Sequence, residues 1–487
     1  MADIRTISKE RCCGCAACVS ACPADAISME EGEEGFLFPK IDLERCIGCG
    51  KCLRSCPEAE KKPGKKKEVP CFAAASKDAL RMRSSSGGIF QVFAGKTLQK
   101  GGAIYGAAWE EGLSVKHVRI TDPEEVFRLS GSKYVPSHTE GIYRQVKQDL
   151  DEKRPVLFSG TPCQVAGLYQ YLKGAGKKEP ETLEGLFTIE IVCHGVPSEK
   201  SFHTYLKECY GEGQVKKVAF RTKEFGHTCA NGVVTLKNGK TKVMSGNVDP
   251  YERGFHRSLF LRKSCYACAF AELPRTADVT LGDFWGLEKY DPALTDPRGV
   301  SLVLLNSPKA EALWKEVKEE LDSCTQVPVD VALKHNRFRK NSRRAKGRER
   351  FFKLLPVLGF EKAVEYALEE RYDVMFAWEG EAPPKELEEA LEAEANQLGR
   401  TVCIQGKEQA VAAVTVSGLQ ELLGGKFPEE LDKEKKAKLQ KLLLTKPGLG
   451  VRIQKNLKEA ASRAAAGMKS RISAETKQKL KAILKKK

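Results

Sequence analysis

The sequence predicts a multidomain protein of mixed α+β and α/β class, with a small cysteine-rich N-terminal domain, a central mixed α/β domain and a helical, basic C-terminal extension. Three observations predict it: cysteine runs in the first 57 residues, short apolar runs alternating with helical patterns up to about residue 350, and a Lys-rich end. The chain has 487 residues and 41% apolar content, enough for about two to four domains with real cores.

The N-terminal domain is predicted from two copies of one spacing, C-x2-C-x2-C-x3-C-P. Eight thiolates at this spacing hold two 4Fe-4S clusters, and the fourth cysteine of each run ligates the other cluster. Residues 1–60 are therefore predicted to form a two-cluster, dicluster ferredoxin-like domain. The predicted ligands of the first cluster are Cys12, Cys15, Cys18 and Cys56, and those of the second are Cys46, Cys49, Cys52 and Cys22. Cys13 lies outside the pattern and is expected to be a spare thiol.

A disulfide framework and a pair of zinc sites are the alternatives for these cysteines. The N-terminus MADIRTISKE has no apolar stretch typical of a signal peptide, and no later run reaches the length of a membrane span. We therefore expect a cytoplasmic protein without a transmembrane segment, whose 18 cysteines are reduced. Zinc sites normally use two pairs of ligands rather than quartets that end in Pro.

The net charge of +16 is concentrated at the C-terminal end, where residues 431–487 hold 18 Lys or Arg against 4 Asp or Glu. Residues 385–487 are predicted to be an acidic helix followed by a Lys-rich helical extension, either solvated or packed against a partner. Contact with an anionic membrane or nucleic acid is the alternative. Nucleic acid is disfavoured, because the rest of the chain is nearly neutral and the tail lacks interleaved aromatic residues for base stacking.

Between the two ends, residues 61–70 are predicted to be a basic linker, because like charges beside Pro-Gly resist packing. The central domain is predicted in two parts, residues 71–153 and 154–384. Residues 334–352 are predicted to be a basic loop or helix, either solvated or facing an anionic cofactor. Strands are predicted at residues 102–109, 155–158, 187–192 and 278–281.

The first glycine-bearing turn of the central domain precedes an amphipathic run at 89–99. Its residues Ser85, Ser86, Gly87 and Gly88 open onto a predicted helix N-terminus, where unpaired N–H groups and the helix dipole favour an anion. The turn therefore predicts a phosphate-binding site, with a simple serine cap as the alternative.

A second turn follows the predicted strand at 155–158 and contains Gly160, Thr161, Cys163 and Gln164. Thr161 fits a helix N-cap and Gln164 its reciprocal capping-box partner. Cys163 then lies in the first helical turn, where the dipole favours the thiolate of a metal ligand or nucleophile. A merely buried cysteine is the alternative.

Three further cysteines bring the thiols of this region to four: Cys193 after a predicted strand, and the pair Cys265-x2-Cys268. Four thiols match one additional 4Fe-4S cluster. An isolated C-x2-C pair is also typical of a redox-active pair or half a zinc site, and both remain alternatives here.

Two more glycine-bearing loops complete the candidate cofactor site. The first contains Gly131, Ser132, Lys133 and Tyr134, and Lys133 is a candidate contact to a cofactor phosphate. The second, residues 281–286, contains Asp283 and a tryptophan that could stack on a ring. A solvated Lys and a core Trp are the alternatives.

The motifs SSSGGIF, GSKY, LFSGTPCQVAGL, CHGVPS, FRTKEFG, SCYACAFA and DVTLGDFWG, in this order, resemble the beta-subunit family of coenzyme F420 hydrogenases and dehydrogenases over about residues 1–380. The resemblance implies that the central domain is a flavin domain binding FAD. It also supports a third 4Fe-4S cluster with the ligands Cys163, Cys193, Cys265 and Cys268. The candidate FAD-binding residues are Ser85, Ser86, Gly87, Gly88, Gly131, Ser132, Lys133, Tyr134, Gly160, Thr161, Gln164 and Asp283.

The predicted function is a flavin-dependent iron–sulfur oxidoreductase that passes electrons between the clusters, FAD and a two-electron carrier or substrate. The partner is a redox protein or a small carrier such as the deazaflavin coenzyme, ferredoxin or NAD(P)H, although no GxGxxG fingerprint for a nicotinamide is present. The alternative is a non-catalytic electron-relay subunit of a larger redox complex. No general acid is assigned, because His194 is a candidate only through its position beside Cys193.

Overall fold

A computed structural model describes residues 2–59, 68–174, 181–223, 231–245, 248–336 and 342–368. The chain divides into two compact units, Met1–Glu370 and Arg371–Lys487, and every described residue lies in the first unit. The predicted acidic helix, the Lys-rich extension and residues 61–67 of the predicted linker lie outside the described residues. Within the described residues, no helix has the length and apolar character needed to span a bilayer.

The N-terminal module, residues 2–59, contains two short helices and a hairpin. Its elements are α1 (Ala17–Ser20), β1 (Ile27–Glu31), β2 (Leu37–Ile41) and α2 (Lys51–Arg54). The strands are antiparallel. Cysteines supply much of its buried core, which includes Cys18, Cys22, Cys52 and Cys56. A region this small cannot build a large apolar core, so it depends on what its thiols bind.

The central domain begins at β3 and alternates strands with helices. Its first elements are β3 (Cys71–Ala75), α3 (Asp78–Arg81), α4 (Ile89–Gln99), β4 (Ala103–Trp109), β5 (Val115–Ile120), α5 (Ile142–Asp151), β6 (Val156–Gly160), α6 (Pro162–Lys173), β7 (Leu186–Ile191) and α7 (Glu199–Tyr210). They are followed by β8 (Val215–Ala219), β9 (Asn231–Leu236), β10 (Thr241–Ser245), α8 (Pro250–His256), β11 (Val279–Asp283), α9 (Leu287–Tyr290), β12 (Ser301–Leu305), α10 (Pro308–Val317), β13 (Ser323–Gln326), α11 (Val329–His335), α12 (Arg348–Leu358) and α13 (Phe360–Leu368).

An eight-stranded mixed sheet organises this domain, with the order β13-β3-β12-β11-β7-β6-β4-β5. Its centre, β11-β7-β6-β4, is parallel, and the pairs toward both edges are antiparallel. The four parallel strands are the four predicted from the sequence, and the structure confirms them. They are buried along most of their length because helices cover both faces of a parallel sheet.

The two faces of the sheet have separate cores. On one face, Phe93 of α4 stacks on Phe187 and Trp314, with ring centroids 5.4 and 6.0 Å apart. On the other face, α5 and α6 pack in one cluster that also contains Cys15 and Ala17 of the N-terminal module. The module therefore docks on the helices that cover this face.

Candidate redox site

A cavity of about 570 Å³ opens where three parallel strands end. Its walls include Gly160 of β6, Ile191 of β7 and Asp283 of β11. The carboxyl ends of parallel strands are where open α/β sheets bind ligands. The N-terminal module also contributes to the wall, through residues that include Gly14 and Phe36.

Most of the predicted cofactor-binding residues line this cavity. Those in its wall are Ser85, Ser86, Gly88, Gly131, Ser132, Lys133, Tyr134, Gly160, Thr161, Gln164 and Asp283. Gly87 lies against the sheet instead, where a Cβ would be 2.4 Å from the Ala74 carbonyl oxygen and 2.7 Å from the Ser301 nitrogen. Its need for glycine therefore comes from close backbone packing.

The turn before α4 opens directly onto that helix, as predicted. The N-cap is Gly88, with φ of 83° and no side-chain cap, so the alternative of a serine cap is wrong. The Ser132 hydroxyl donates to the Ser85 hydroxyl over 3.2 Å. Two glycine-bearing loops that are distant in sequence are thereby joined along one wall of the cavity.

Lys133 points its ammonium back onto its own loop. Its Nζ donates to the carbonyl oxygens of Ser130 over 2.9 Å and of Gly131 over 3.2 Å. Burial lowers the pKa of Lys133 to about 8. The solvated alternative for this side chain is therefore wrong, and its charge sits in the wall of the cavity.

An arginine outside the predicted set of site residues faces Asp283. Arg221 Nη1 donates to Asp283 Oδ2 over 3.0 Å, and its guanidinium lies 5.4 Å from the ring centroid of Trp285. Trp285 is 39% exposed and borders the cavity, so the core alternative is wrong. Tyr134 stacks on Phe255 with a centroid distance of 4.5 Å. These groups give one end of the cavity a cation and aromatic surfaces.

Two histidines in the wall of the cavity, His117 and His138, are also absent from the set of site residues predicted from the sequence. Burial lowers the pKa of His117 to about 4, so this ring is neutral near pH 7. Its Nε2 lies 3.0 Å from the Ser159 carbonyl oxygen and therefore donates, which leaves Nδ1 to accept from the Ser137 hydroxyl at 2.7 Å. Neither histidine belongs to a motif, so no sequence signal identified them.

The second histidine, His138, forms an ion pair with Glu199, with 2.8 Å between Nε2 and Oε2. Hydrogen bonding to Glu199 raises the pKa of His138. Burial works against ionisation of Glu199, but hydrogen bonds from His138 and His203 lower its pKa to about 2. The pair is therefore charged on the acid side of neutrality.

His194, the weak candidate for a general acid, has structural partners. Its Nε2 lies 2.8 Å from the Phe255 carbonyl oxygen and 3.1 Å from the Ser258 hydroxyl. Since a carbonyl only accepts, Nε2 carries its proton toward Phe255.

The four thiols assigned to the first cluster surround one small cavity. It is lined by Cys12, Cys15, Cys18 and Cys56, a set that crosses between the two cysteine runs. Burial raises the pKa of the Cys56 thiol to about 11 and that of Cys18 further. Thiolates here therefore require a cation beside them, which iron supplies. The residues present fit such a cluster.

The capping box predicted for α6 is present, with the Thr161 backbone N–H donating to Gln164 Oε1 over 3.0 Å. Cys163 lies in the first turn, and its Sγ is 3.2 Å from the Thr161 hydroxyl. Cys163 and Cys193 both border the large cavity.

The other two thiols of the proposed third set accept hydrogen bonds from backbone N–H groups. Val196 donates to Cys265 Sγ over 3.3 Å, and Phe270 donates to Cys268 Sγ over 3.4 Å. Burial, and then the charges of the three other thiolates, raise the pKa of Cys193. Thiolates whose negative charges repel one another in this way suit a shared cationic cluster, which would stabilise all four. Among the described residues, no three His, Cys, Asp or Glu side chains are grouped to hold a single metal ion.

Cys13 lies between the two sets of thiols. It borders both the small cavity lined by Cys15 and the large cavity lined by Cys163. One turn further along α6, a Cβ on Gly167 would lie 2.9 Å from Cys15 Sγ. The first cluster and Cys163 therefore meet at the start of one helix.

Parts of the chain match known protein families. Residues 153–329 match the family described as the C terminus of the coenzyme F420 hydrogenase/dehydrogenase beta subunit. Residues 11–59 and 38–85 each match a 4Fe-4S dicluster domain. No curated protein matches the chain. Among solved structures, a chain of the xenon-derivatized F420-reducing NiFe hydrogenase complex from Methanosarcina barkeri is 16% identical, with a TM-score of 0.40, over 63% of this chain and 91% of that chain.

The N-terminal module is thus an iron–sulfur module of the dicluster type. Residues 153–329 are similar to the C terminus of the beta subunit of coenzyme F420 hydrogenases and dehydrogenases.

Proposed function

We propose that this protein is a cytoplasmic iron–sulfur flavoprotein that passes electrons between its clusters, FAD and a two-electron carrier of the deazaflavin type. The observation that carries the proposal is one cavity whose wall combines the glycine-bearing loops, Cys163 and Cys193 of the proposed third cluster, and Gly14 of the iron–sulfur module. A cofactor in this cavity would lie beside both sets of thiols.

The cavity has the size and the chemistry for a flavin. Its volume of about 570 Å³ lies within the range of roughly 300–1,000 Å³ typical of ligand pockets. One buried polar atom in its wall, Asn336 Oδ1, has no hydrogen-bond partner among the described residues, and a ligand would supply one. The N-terminus of α4, eleven residues long, opens toward Ser85 and Ser86 and suits a phosphate group.

When bound, a flavin takes two electrons as hydride from a reduced carrier and returns them one at a time to two clusters, with release of one proton. In this chain the cavity and the predicted ligands of the first cluster lie close together. Cys163 at the start of α6 borders the cavity, and one turn along α6 Gly167 lies against Cys15, a predicted ligand of the first cluster. Trp285 offers an apolar surface at the mouth.

The test is anaerobic purification followed by measurement of iron, acid-labile sulfide and extractable flavin per chain. We expect about twelve iron atoms and one FAD in the unaltered protein, and about eight iron atoms in Cys163→Ser. Cys324→Ser, which alters a half-buried thiol on β13 away from the cavity, is the matched control and should keep about twelve.

A turnover assay distinguishes an enzyme from a non-catalytic electron-relay subunit. The isolated chain should reduce an artificial one-electron acceptor with the reduced deazaflavin coenzyme as donor. About eight iron atoms in both the unaltered protein and Cys163→Ser, with no flavin, would overturn the proposal and leave an electron-relay subunit.

A further inference from the structure

Arg262 links the central domain to the first cluster of the iron–sulfur module. It lies three residues before Cys265, and its side chain reaches into the module. Its Nε donates to the Cys12 carbonyl oxygen over 2.7 Å, and its Nη2 donates to the Leu37 carbonyl oxygen over 2.6 Å. The same Nη2 lies 3.6 Å from Cys12 Sγ. One guanidinium therefore contacts a ligand of the first cluster from the loop that holds a proposed ligand of the third.

The position of Arg262 is fixed from several sides. Its backbone N–H donates to the Val196 carbonyl oxygen over 2.8 Å. The guanidinium lies over the Phe38 ring, 4.5 Å from the centroid. On the opposite side, a Cβ on Gly14 would be 2.8 Å from Nη1, so the backbone of the cysteine run approaches the guanidinium closely. The residue as a whole is only 4% exposed.

The charge of Arg262 needs a counter-charge. Within the described part of the chain, no Asp or Glu oxygen forms an ion pair with its guanidinium. Burying an unpaired cation is strongly unfavourable. A 4Fe-4S cluster with four thiolate ligands carries a net negative charge, and its potential depends on neighbouring charges and hydrogen bonds.

We propose that Arg262 is the shared counter-charge of the first cluster and the proposed third cluster. As a positioning residue it favours the reduced, more negative state of both clusters and so raises both midpoint potentials. The second cluster, none of whose predicted ligands forms a hydrogen bond with Arg262 among the described residues, is affected less. The part concerning the third cluster rests on the proposed function, whereas the part concerning the first cluster does not.

The test is an anaerobic redox titration of the full chain, followed by electron paramagnetic resonance. Two neutral variants, Arg262→Gln and Arg262→Met, are compared with Arg262→Lys, which keeps the charge. The matched control is Lys263→Gln, which removes a charge at the next position, where the side chain is 39% exposed and lies 3.9 Å from Glu10. Signals are assigned with Cys163→Ser and Cys49→Ser, each of which removes one cluster.

We expect both neutral variants to shift the first and third clusters to lower midpoint potential and to leave the second in place. Arg262→Lys and Lys263→Gln should stay close to the unaltered protein. Unchanged potentials in a neutral variant that keeps its iron would overturn the proposal, as would an equal shift of all three clusters. Loss of iron in both neutral variants, with iron retained in Arg262→Lys, would support the proposal, because only Arg262→Lys keeps the charge. Loss of iron in all three variants would overturn the electrostatic role.

The outcome is separable from that of the proposed function. Should the chain contain no flavin and only two clusters, a lower potential of the first cluster alone in Arg262→Gln would still support the role of this residue. If the protein contains three clusters and FAD, and their midpoint potentials are the same in the Arg262 variants as in the unaltered protein, the inference is overturned and the proposed function stays intact.

Discussion

The two cysteine runs share one spacing but have different surroundings. Gly14 and Gly48 occupy the same place in each run, and both have left-handed backbone, with φ of 72° and 66°. A Cβ at Gly14 would lie 2.8 Å from Arg262 Nη1, whereas a Cβ at Gly48 would meet nothing within 4 Å. At this position the first run is packed against the central domain, whereas the second run has open space beside its glycine.

Exposure of the neighbouring side chains follows the same division. Leu43, just before the second run, and Ile47, between its first two cysteines, are 63% and 69% exposed, whereas Ala16 and Ala17, between cysteines of the first run, are 3% and 0% exposed. The last two cysteines of the second run, Cys52 and Cys56, are nevertheless buried, at 8% and 7%. Ligand spacing decides which metal group each run holds. Contacts with the rest of the chain, in contrast, pack the first run against α5 and α6.

The largest expected effect tests whether the inner side of the module is held by the central domain. At the tip of the hairpin, Glu34 accepts hydrogen bonds from Arg348 over 2.8 and 2.5 Å, and the Arg348 side chain is fully buried. Glu34→Gln leaves this buried cation with only the longer contact to Glu349, at 3.9 Å, so the free energy of unfolding should fall by about 3 kcal/mol. Anaerobic denaturant titration followed by circular dichroism measures it.

The matched control lies on the same hairpin but faces solvent. Glu30 pairs with Lys40 over 2.8 Å, and both side chains are more than half exposed. Glu30→Gln should lower the free energy of unfolding by about 0–1 kcal/mol. Equal losses in the two variants would mean that the inner contacts do not hold the module.

The two glycines test the comparison directly. Alanine at either position must adopt the left-handed backbone of the glycine it replaces, which should lower the free energy of unfolding by about 1–2 kcal/mol. At position 14 its Cβ also displaces the Arg262 guanidinium, which we expect to add about 1–3 kcal/mol. Loss of the cluster absorbance in denaturant should therefore come earlier in Gly14→Ala than in Gly48→Ala, and coincident curves would contradict the inner position of the first run.

Local patterns predicted the parts of the fold that depend on local interactions. The four central strands follow from their apolar runs, and the capping box of α6 follows from two side chains three residues apart. The Ser198 cap of α7 is present for the same reason, with Ser201 N–H donating to its hydroxyl over 3.2 Å. Such contacts are determined within a few residues of sequence, so the sequence suffices to predict them.

Contacts between distant segments could not be predicted in this way. Arg348 lies in a basic segment for which solvent or an anionic cofactor was expected, yet it pairs with Glu34, 314 residues away. Nothing in the sequence of residues 334–352 indicates that Arg348 is buried. Similarly, His117 and Arg262 belong to the cavity through tertiary packing, without a characteristic spacing. Arg221 lies in the motif FRTKEFG, but its position facing Asp283 is also determined by tertiary packing.

A smaller effect tests the contact between the first run and α6. A Cβ on Gly167 would lie 2.9 Å from Cys15 Sγ and 3.3 Å from the Tyr143 hydroxyl. We expect Gly167→Ala to lower the free energy of unfolding by about 1–3 kcal/mol through overpacking. Gly95→Ala, in α4, meets nothing within 4 Å and should instead raise it by about 0.5–1 kcal/mol. Denaturant titration checks both, and stabilisation by Gly167→Ala would show that the two segments are not in contact.

The smallest expected effect is a pH dependence where α7 meets the inner hairpin, next to the hydrogen bond from the Ser198 hydroxyl to the Glu34 carbonyl oxygen. Because Glu199 raises the pKa of His138, the histidine's contribution to stability is complete below about pH 6.5 and is lost as pH rises through its folded pKa. Because the pKa of Glu199 is lowered to about 2, the carboxylate's contribution is complete above about pH 4.5 and is lost toward pH 2. The stability difference between the unaltered protein and His138→Gln should therefore be greatest between about pH 4.5 and 6.5, at about 1 kcal/mol, and should shrink on both sides. Unfolding titrations at pH 5.5 and pH 9 measure it, and an equal difference at both would mean that the pair does not stabilise this contact.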